Sequence, residues 1–130
     1  MIFVDTSFWA ALTAREDALH DEAVKLFRQH ESERLVTSNH VRGETWTLLR
    51  RRRGFRSAVA FLDRLEQTTR LRIEFVGREL EAEALRWLRD EREYSFVDAT
   101  SFALMRSLRS REALAFDGDF AAAGFVELRA

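Results

Sequence analysis

The sequence predicts an α/β protein, a parallel five-stranded sheet between layers of helices. Short β-rich runs and longer segments of helical period alternate from one end of the chain to the other, the pattern of a parallel sheet whose crossovers are helices. No internal repeat, low-complexity tract or linker interrupts them, and the chain has five glycines and no proline. At 130 residues and 46% hydrophobic content it has the size of a single domain, residues 1–130, with ample material for one core.

Taken in order, "IFVD" at residues 2–5 reads as a short buried strand. "SFWAAL" opens a helix with Ser7 as its N-cap. Residues 19–30 have helical period, with Leu19, Ala23, Leu26 and Phe27 on one face. "RLVTS" at 34–38 is a second strand. Ser38 or Asn39 caps a helix over about 40–53, and Gly54 stops it. A further helix covers about 55–67, with Val59, Leu62 and Leu65 on one side. "LRIEFV" at 71–76 alternates as a third strand. Residues 78–91 form an amphipathic helix with Leu80, Ala84, Leu85 and Leu88 inward. Residues 95–109 are helix, with Ser95 as the cap. "ALAF" at 113–116 and "GFVELR" at 124–129 are the fourth and fifth strands.

Composition excludes several classes of function. There is no cysteine, so disulfide frameworks and thiolate metal sites are ruled out. No apolar run approaches the roughly 18 residues of a membrane span. Asp5 interrupts the N-terminus and no basic segment precedes it, so a secretory signal is not expected and a cytoplasmic location is. The net charge is −1, but it is unevenly spread. Residues 42–72 carry nine Arg against three acids (Glu44, Asp63, Glu66), whereas residues 79–93 carry six acids against three Arg. Lys25 is the only lysine among the 21 Lys and Arg. A GC-rich coding bias favours arginine everywhere, but its segregation into one block points to a polyanionic partner.

Ligands of parallel sheets bind beyond the carboxyl ends of the strands, and four acids fall there. Asp5 ends the first strand and Asp117 follows the fourth. Asp98 lies in the first turn of the helix that feeds the fourth strand, and Glu44 lies early in the helix leaving the second. Right-handed crossovers allow the first and fourth strands to be neighbours at a topological switch point, which would bring Asp5 and Asp117 to one crevice. Each acid also has an ordinary role. Ser95-x-x-Asp98 fits a capping box, Asp117-Gly118 is a common turn pair, and Asp5 and Glu44 fit a strand end and a solvated helix face. Three of the four, however, sit within or after apolar stretches, where burial and mutual repulsion raise carboxyl pKa values unless a cation is present. Oxygen ligands suit Mg²⁺ or Mn²⁺, and such an ion beside an arginine-rich surface suits hydrolysis of a phosphodiester. Asp119 either joins this set or caps a short helix starting at Phe120.

The stretches "MIFVDTS", "TSNHVRGETWTLLRRR", "EREYSFVDATSFALMR" and "AFDGDF" resemble, in order and at family spacing, the four acidic blocks of PIN-domain ribonucleases, the VapC toxins of type II toxin–antitoxin pairs. The likeness runs from residue 1 to about 127 and implies a PIN-like α/β/α fold with a five-stranded parallel sheet. It implies an Mg²⁺-dependent endoribonuclease (Mn²⁺ substituting) in which Asp5, Glu44, Asp98 and Asp117 form the acidic quartet. Asp5, Asp98 and Asp117, with Asp119, would hold metal, and Glu44 would order water or act as base. Thr6 and Ser7 would support the carboxylates from behind. The wording is most similar to the branch that cuts the sarcin–ricin loop of 23S rRNA; other members cut transfer RNA in the anticodon region. A VapB-type antitoxin and a homodimer are the partners the likeness implies, with Phe8 and Phe61 offering apolar surface.

Arg42, Arg51 and Arg52 are candidates for RNA contact. "LRRRRG" at 49–54 equally fits cations favoured at a helix C-terminus before a glycine stop. Trp46 either packs or stacks on a base. Trp9, Trp46 and Trp87 sit at core-like positions, and His20, His30 and His40 have no metal-ligand spacing. A receiver-like phosphoacceptor would need a lysine after a late strand. A haloacid-dehalogenase-like phosphatase would need an acid where Ser7 stands. A non-catalytic RNA- or partner-binding domain would have no need of all four acids.

Overall fold

The structure, a computed structural model, describes residues 1–90 and 93–130. Its elements run β1 (Ile2–Val4), α1 (Thr6–Thr13), α2 (His20–Gln29), β2 (Leu35–Ser38), α3 (Asn39–Arg53), α4 (Phe55–Gln67), β3 (Leu71–Glu74), α5 (Arg78–Asp90), α6 (Phe96–Leu108), β4 (Glu112–Leu114), α7 (Asp119–Ala122) and β5 (Val126–Glu127). The sequence places every long element correctly. The helix expected over 78–91 ends at Asp90 within the described residues; Glu91 lies outside them. The last two strands are shorter than their apolar runs because the chain leaves the ladder to form the loops around α7.

The five strands make one parallel sheet in the order β3-β2-β1-β4-β5. Ile2, Phe3 and Val4 pair with Glu112, Ala113 and Leu114, so the first and fourth strands are neighbours. The order reverses between them, and the crevice opens at that switch point. β1 and β2 are buried throughout, as strands covered by helices on both faces must be. The edge strand β3 is only half-buried and carries an Arg72–Glu74 ion pair at 2.6 Å, a charged edge that discourages pairing with another chain.

Aromatic side chains fill the core. Trp9 meets Phe61 at 5.9 Å and Phe27 at 6.4 Å between ring centroids. Phe102 meets Phe120 at 5.0 Å and Phe125 at 5.6 Å. Phe8 and Phe61, expected as exposed surface, are fully buried. The reason is that α2, α3 and α4 all pack on α1, so α1 has almost no outer face. Burying a phenylalanine is worth about 1.5–3 kcal/mol. Leu85 and Leu19, expected inward, are instead exposed. On α5 the small Ala84 packs against Ala99 and Ala103 of α6, and this close approach turns Leu85 outward. On α4 it is Ala58, Phe61 and Leu65 that face in.

Helix ends position the acids. Asp5, not Ser7, caps α1: the strand stops at Val4, and the extended backbone of Asp5 lets its carboxylate accept from the Ser7 N–H. Ser38 caps α3 by accepting from the Val41 N–H at 3.0 Å. α3 then ends in four consecutive arginines before Gly54, whose φ of 95° and ψ of 174° suit glycine alone. Ser95 and Asp98 form a reciprocal capping box on α6.

Candidate active site

The four acids of the switch point line one cleft of about 470 Å³, together with Thr6, Ser7 and Arg52. Asp5 arrives at the end of β1 and is 2% exposed. Its Oδ2 accepts from the Ser7 N–H at 3.2 Å and from the Ser7 hydroxyl at 2.8 Å. The same hydroxyl accepts from the Phe116 N–H at 2.9 Å. Ser7 therefore ties the chain just after β4 to the carboxylate that follows β1. Thr6 also lines the cleft, but its hydroxyl meets that of Thr45 at 3.0 Å, joining α1 to α3.

Asp98 keeps both roles that the sequence offers it. Its Oδ2 accepts from the Ser95 N–H at 3.3 Å within the capping box, and the side chain also reaches the acidic cluster. Oxygen atoms of Asp98, Asp117 and Asp119 lie within 4.8 Å of one another. Asp119 thus joins the carboxylates. It does not cap the short helix: α7 begins at Asp119 itself, and Gly118 precedes it in the left-handed region with φ 83°. Asp117 makes the turn instead, its Oδ1 accepting from the Asp119 N–H at 3.0 Å.

The electrostatics follow from the crowding. Burial pushes the Asp5 carboxyl up to about 7; the charges of Asp117 and Asp98 add to this and the Ser7 hydrogen bonds oppose it. Burial also raises Asp98 to about 7, with Asp117 and Asp119 adding and Ser95 opposing. Asp117 is raised as well, by desolvation at the cleft wall and then by the carboxylates of Asp119 and Glu127. Such a set is strained as bare anions and suits a hard divalent cation. A span of 4.8 Å is close to the roughly 4.2 Å across two opposed Mg²⁺–O bonds, so the donors fit such an ion.

Glu44 lines the cleft from α3, half-buried, and Arg52 enters the same cleft about two helix turns further on. Arg51 faces a neighbouring groove. Arg42 lies away from the acids, its guanidinium over the Phe75 ring at 5.4 Å. Trp46 packs edge-on against Phe55 at 6.1 Å, Trp9 is buried, and Trp87 packs on Phe102.

Sequence reasoning missed two acids. Asp17 lines the cleft while its Oδ1 accepts from the Leu19 N–H at 2.8 Å. Glu127 of β5 has a side chain only 4% exposed. It accepts from the Gly118 N–H at 3.3 Å, from the Ala121 N–H at 3.1 Å and from Arg129 at 3.0 Å. Glu127 thereby holds the loop that carries Asp117 and Asp119. In sequence it reads as the polar position of an alternating strand, and no local signal sets it apart.

The PIN domain family matches residues 2–126. The chain is 57% identical over 131 residues to the 23S rRNA-specific endonuclease VapC20 of Mycobacterium tuberculosis strain H37Rv, covering 99% of this chain and 98% of that one. The VapC20 of strain CDC 1551 / Oshkosh matches equally. The crystal structure of Mycobacterium tuberculosis VapC20, described as a sarcin–ricin loop cleaving toxin, matches with a TM-score of 0.92 at 56% identity over 100% of both chains.

Proposed function

The chain belongs to the PIN domain family, and from that premise we propose that it is the toxin of a type II toxin–antitoxin pair, a metal-dependent endoribonuclease that stops translation by cutting the sarcin–ricin loop of 23S rRNA. The observation that carries this is the 57% identity to VapC20 along essentially the whole of both chains. We propose further that residues 1–130 act as one PIN domain, in the cytoplasm where ribosomes are; no helix of the described residues is long and apolar enough to cross a membrane.

In this proposal Mg²⁺ is the working ion and Mn²⁺ replaces it. When bound, the ion neutralises the attacked phosphate and acidifies the water that attacks it. Asp5, Asp98 and Asp117 would hold it, with Asp119 adding a further oxygen; the convergence of the Asp98, Asp117 and Asp119 carboxylates supports the last three, and the burial of Asp5 in the same cleft, its carboxyl raised in part by the Asp117 and Asp98 charges, supports the first. Ser7 fixes the rotamer of Asp5. Glu44, across the cleft, takes the proton from the attacking water. Arg52 at the cleft mouth pairs with a phosphate of the substrate, and Arg51 and Arg42 extend the basic surface. The partners are a VapB-type antitoxin, structured ribosomal RNA and a second copy of the chain.

Brief expression in cells followed by mapping of RNA ends tests the reading. A new end within the sarcin–ricin loop, absent with Asp117→Asn, is expected. Cuts confined to transfer RNA would replace the substrate, and no new end in the cells, together with no cleavage of ribosomes or transfer RNA by the purified protein in Mg²⁺ or Mn²⁺, would remove the nuclease.

A further inference from the structure

A second groove, of about 390 Å³, runs alongside the acidic cleft and is lined by His40, Gly43, Thr47, Arg51 and Val97 together with two residues of the cleft itself, Glu44 and Leu48. The two depressions share those side chains as a common wall. A polymer lying with its reacting bond on the carboxylates can reach this groove with an adjoining unit.

The rim is aromatic. Phe96 at the start of α6 is 40% exposed, and its ring stacks on His40 at 5.8 Å with an interplanar angle of 25°. An exposed ring backed by a second flat ring is a surface on which another flat group can lie. The other end is cationic, with the exposed Arg51 in the groove and its neighbour Arg52 in the cleft. Gly43 sits on the exposed side of α3 and lines the groove, and a Cβ built there meets nothing within 4 Å, so a side chain at this position would enter open groove space.

We infer that this groove binds the base of an unstacked nucleotide next to the scissile phosphodiester, with the base on the Phe96–His40 stack and Arg51 on the adjoining phosphate. The inference rests on the nuclease reading for its substrate. Flat rings and a cation beside a phosphodiesterase cleft match single-stranded or extruded nucleotides, which proteins recognise by stacking and guanidinium contact. Watson–Crick-paired RNA offers no free base face, so the groove selects loops and bulges.

Gly43→Leu fills the groove from an open helix position, and Phe96→Ala removes the platform without touching the carboxylates. Phe55→Ala, an exposed aromatic at the start of α4 that packs on Trp46 and does not line the groove, is the control. Binding of a sarcin–ricin hairpin RNA is measured in EDTA, its single-turnover cleavage in Mn²⁺, and Mn²⁺ affinity without RNA. Both groove variants are expected to weaken RNA binding by roughly 5- to 150-fold, the range for one stacked base, with Mn²⁺ affinity unchanged and the Phe55→Ala protein like wild type. An RNA abasic beside the cut should bind wild type and Gly43→Leu equally. Wild-type RNA affinity in both groove variants overturns the groove while leaving the nuclease intact. Weakened RNA binding in a protein that cleaves nothing in Mn²⁺ upholds the groove and removes the nuclease. RNA affinity unchanged but antitoxin binding lost in Gly43→Leu would make the groove a protein-docking site and overturn the inference.

Discussion

At Asp5 two demands on one side chain conflict. As the N-cap of α1 it serves stability, and a neutral asparagine caps as well as an aspartate does. As a buried anion beside Asp117 it opposes stability. Asp5→Asn should therefore raise metal-free stability at pH 8 by about 1–2 kcal/mol, where one pKa unit corresponds to 1.36 kcal/mol, while abolishing metal-dependent cleavage. Thermal melts and an RNA cleavage assay on the same preparation check both halves. Glu127 presents the opposite case, a residue beside the acidic cluster whose work is to hold the loop that carries it. Glu127→Ala leaves two amide donors and Arg129 without their acceptor. It should cost about 1–3 kcal/mol and lower cleavage tenfold or more by displacing Asp117 and Asp119, since a shift of about 1 Å can cost about 100-fold. Denaturant melts and single-turnover rates measure the two effects.

At the scale of elements, the turn between α3 and α4 controls how the basic helix end meets the cleft. Gly54 occupies backbone space that only glycine enters without strain. Gly54→Ala should destabilise by about 1–3 kcal/mol, read from the urea midpoint, although a Cβ there would meet no atom within 4 Å. Ser95→Ala should cost about 1 kcal/mol by taking the hydroxyl acceptor from the Asp98 N–H, while Mn²⁺ affinity changes little, because the Ser95 N–H that holds the Asp98 carboxylate stays in place; a urea midpoint and a Mn²⁺ titration read the two. Element types were readable because helix period, caps and apolar runs are local. Ser38 and Ser95 announce their helices within four residues. The cap of α1 was misread because Ser7 looks like a cap, yet its hydroxyl is committed to Asp5 and Phe116, and Phe116 is 109 residues away. The placing of Asp5, Glu44, Asp98 and Asp117 in one cleft was legible because Asp5 and Asp117 follow strand ends and Glu44 and Asp98 sit early in helices that open on the same edge. Glu127 and Asp17 were not, because their roles depend on loops that fold over them.

For the whole molecule, pH links folding to the ion. Asp5 and Asp98 rise from an ordinary 3.8 to about 7, so the native state holds these protons more tightly than the unfolded chain does. The sign follows: metal-free stability is highest below pH 4 as far as these groups are concerned and falls as pH rises from about 4 to about 7. A divalent ion reverses this, since it binds the ionised carboxylates. At 100 times its Kd an ion adds about 2.7 kcal/mol, so Mn²⁺ should raise the melting temperature at pH 8 and scarcely at pH 5. Calorimetry at the two pH values reads this directly. Of the nine arginines of residues 42–72, eight lie in α3, α4 and β3, and Arg70 lies in the turn before β3. Replacing Arg51 and Arg52 with alanine should flatten the dependence of log K on log salt by about 0.7 per lost phosphate contact for single-stranded RNA.

The pairing of β1 with β4 has a consequence in time. Residues 2–4 form the middle of the sheet, yet one of their two partners is made more than a hundred residues later. Contacts so distant in sequence form late, and a chain emerging from the ribosome N-terminus first must wait for them. Asp117 is synthesised 112 residues after Asp5. The cleft is therefore open in the growing chain and closes only after β4 has been added beside β1. The carboxylates that follow β1 and β4 cannot share a cleft until the chain has grown long enough to lay the later strand beside the earlier one.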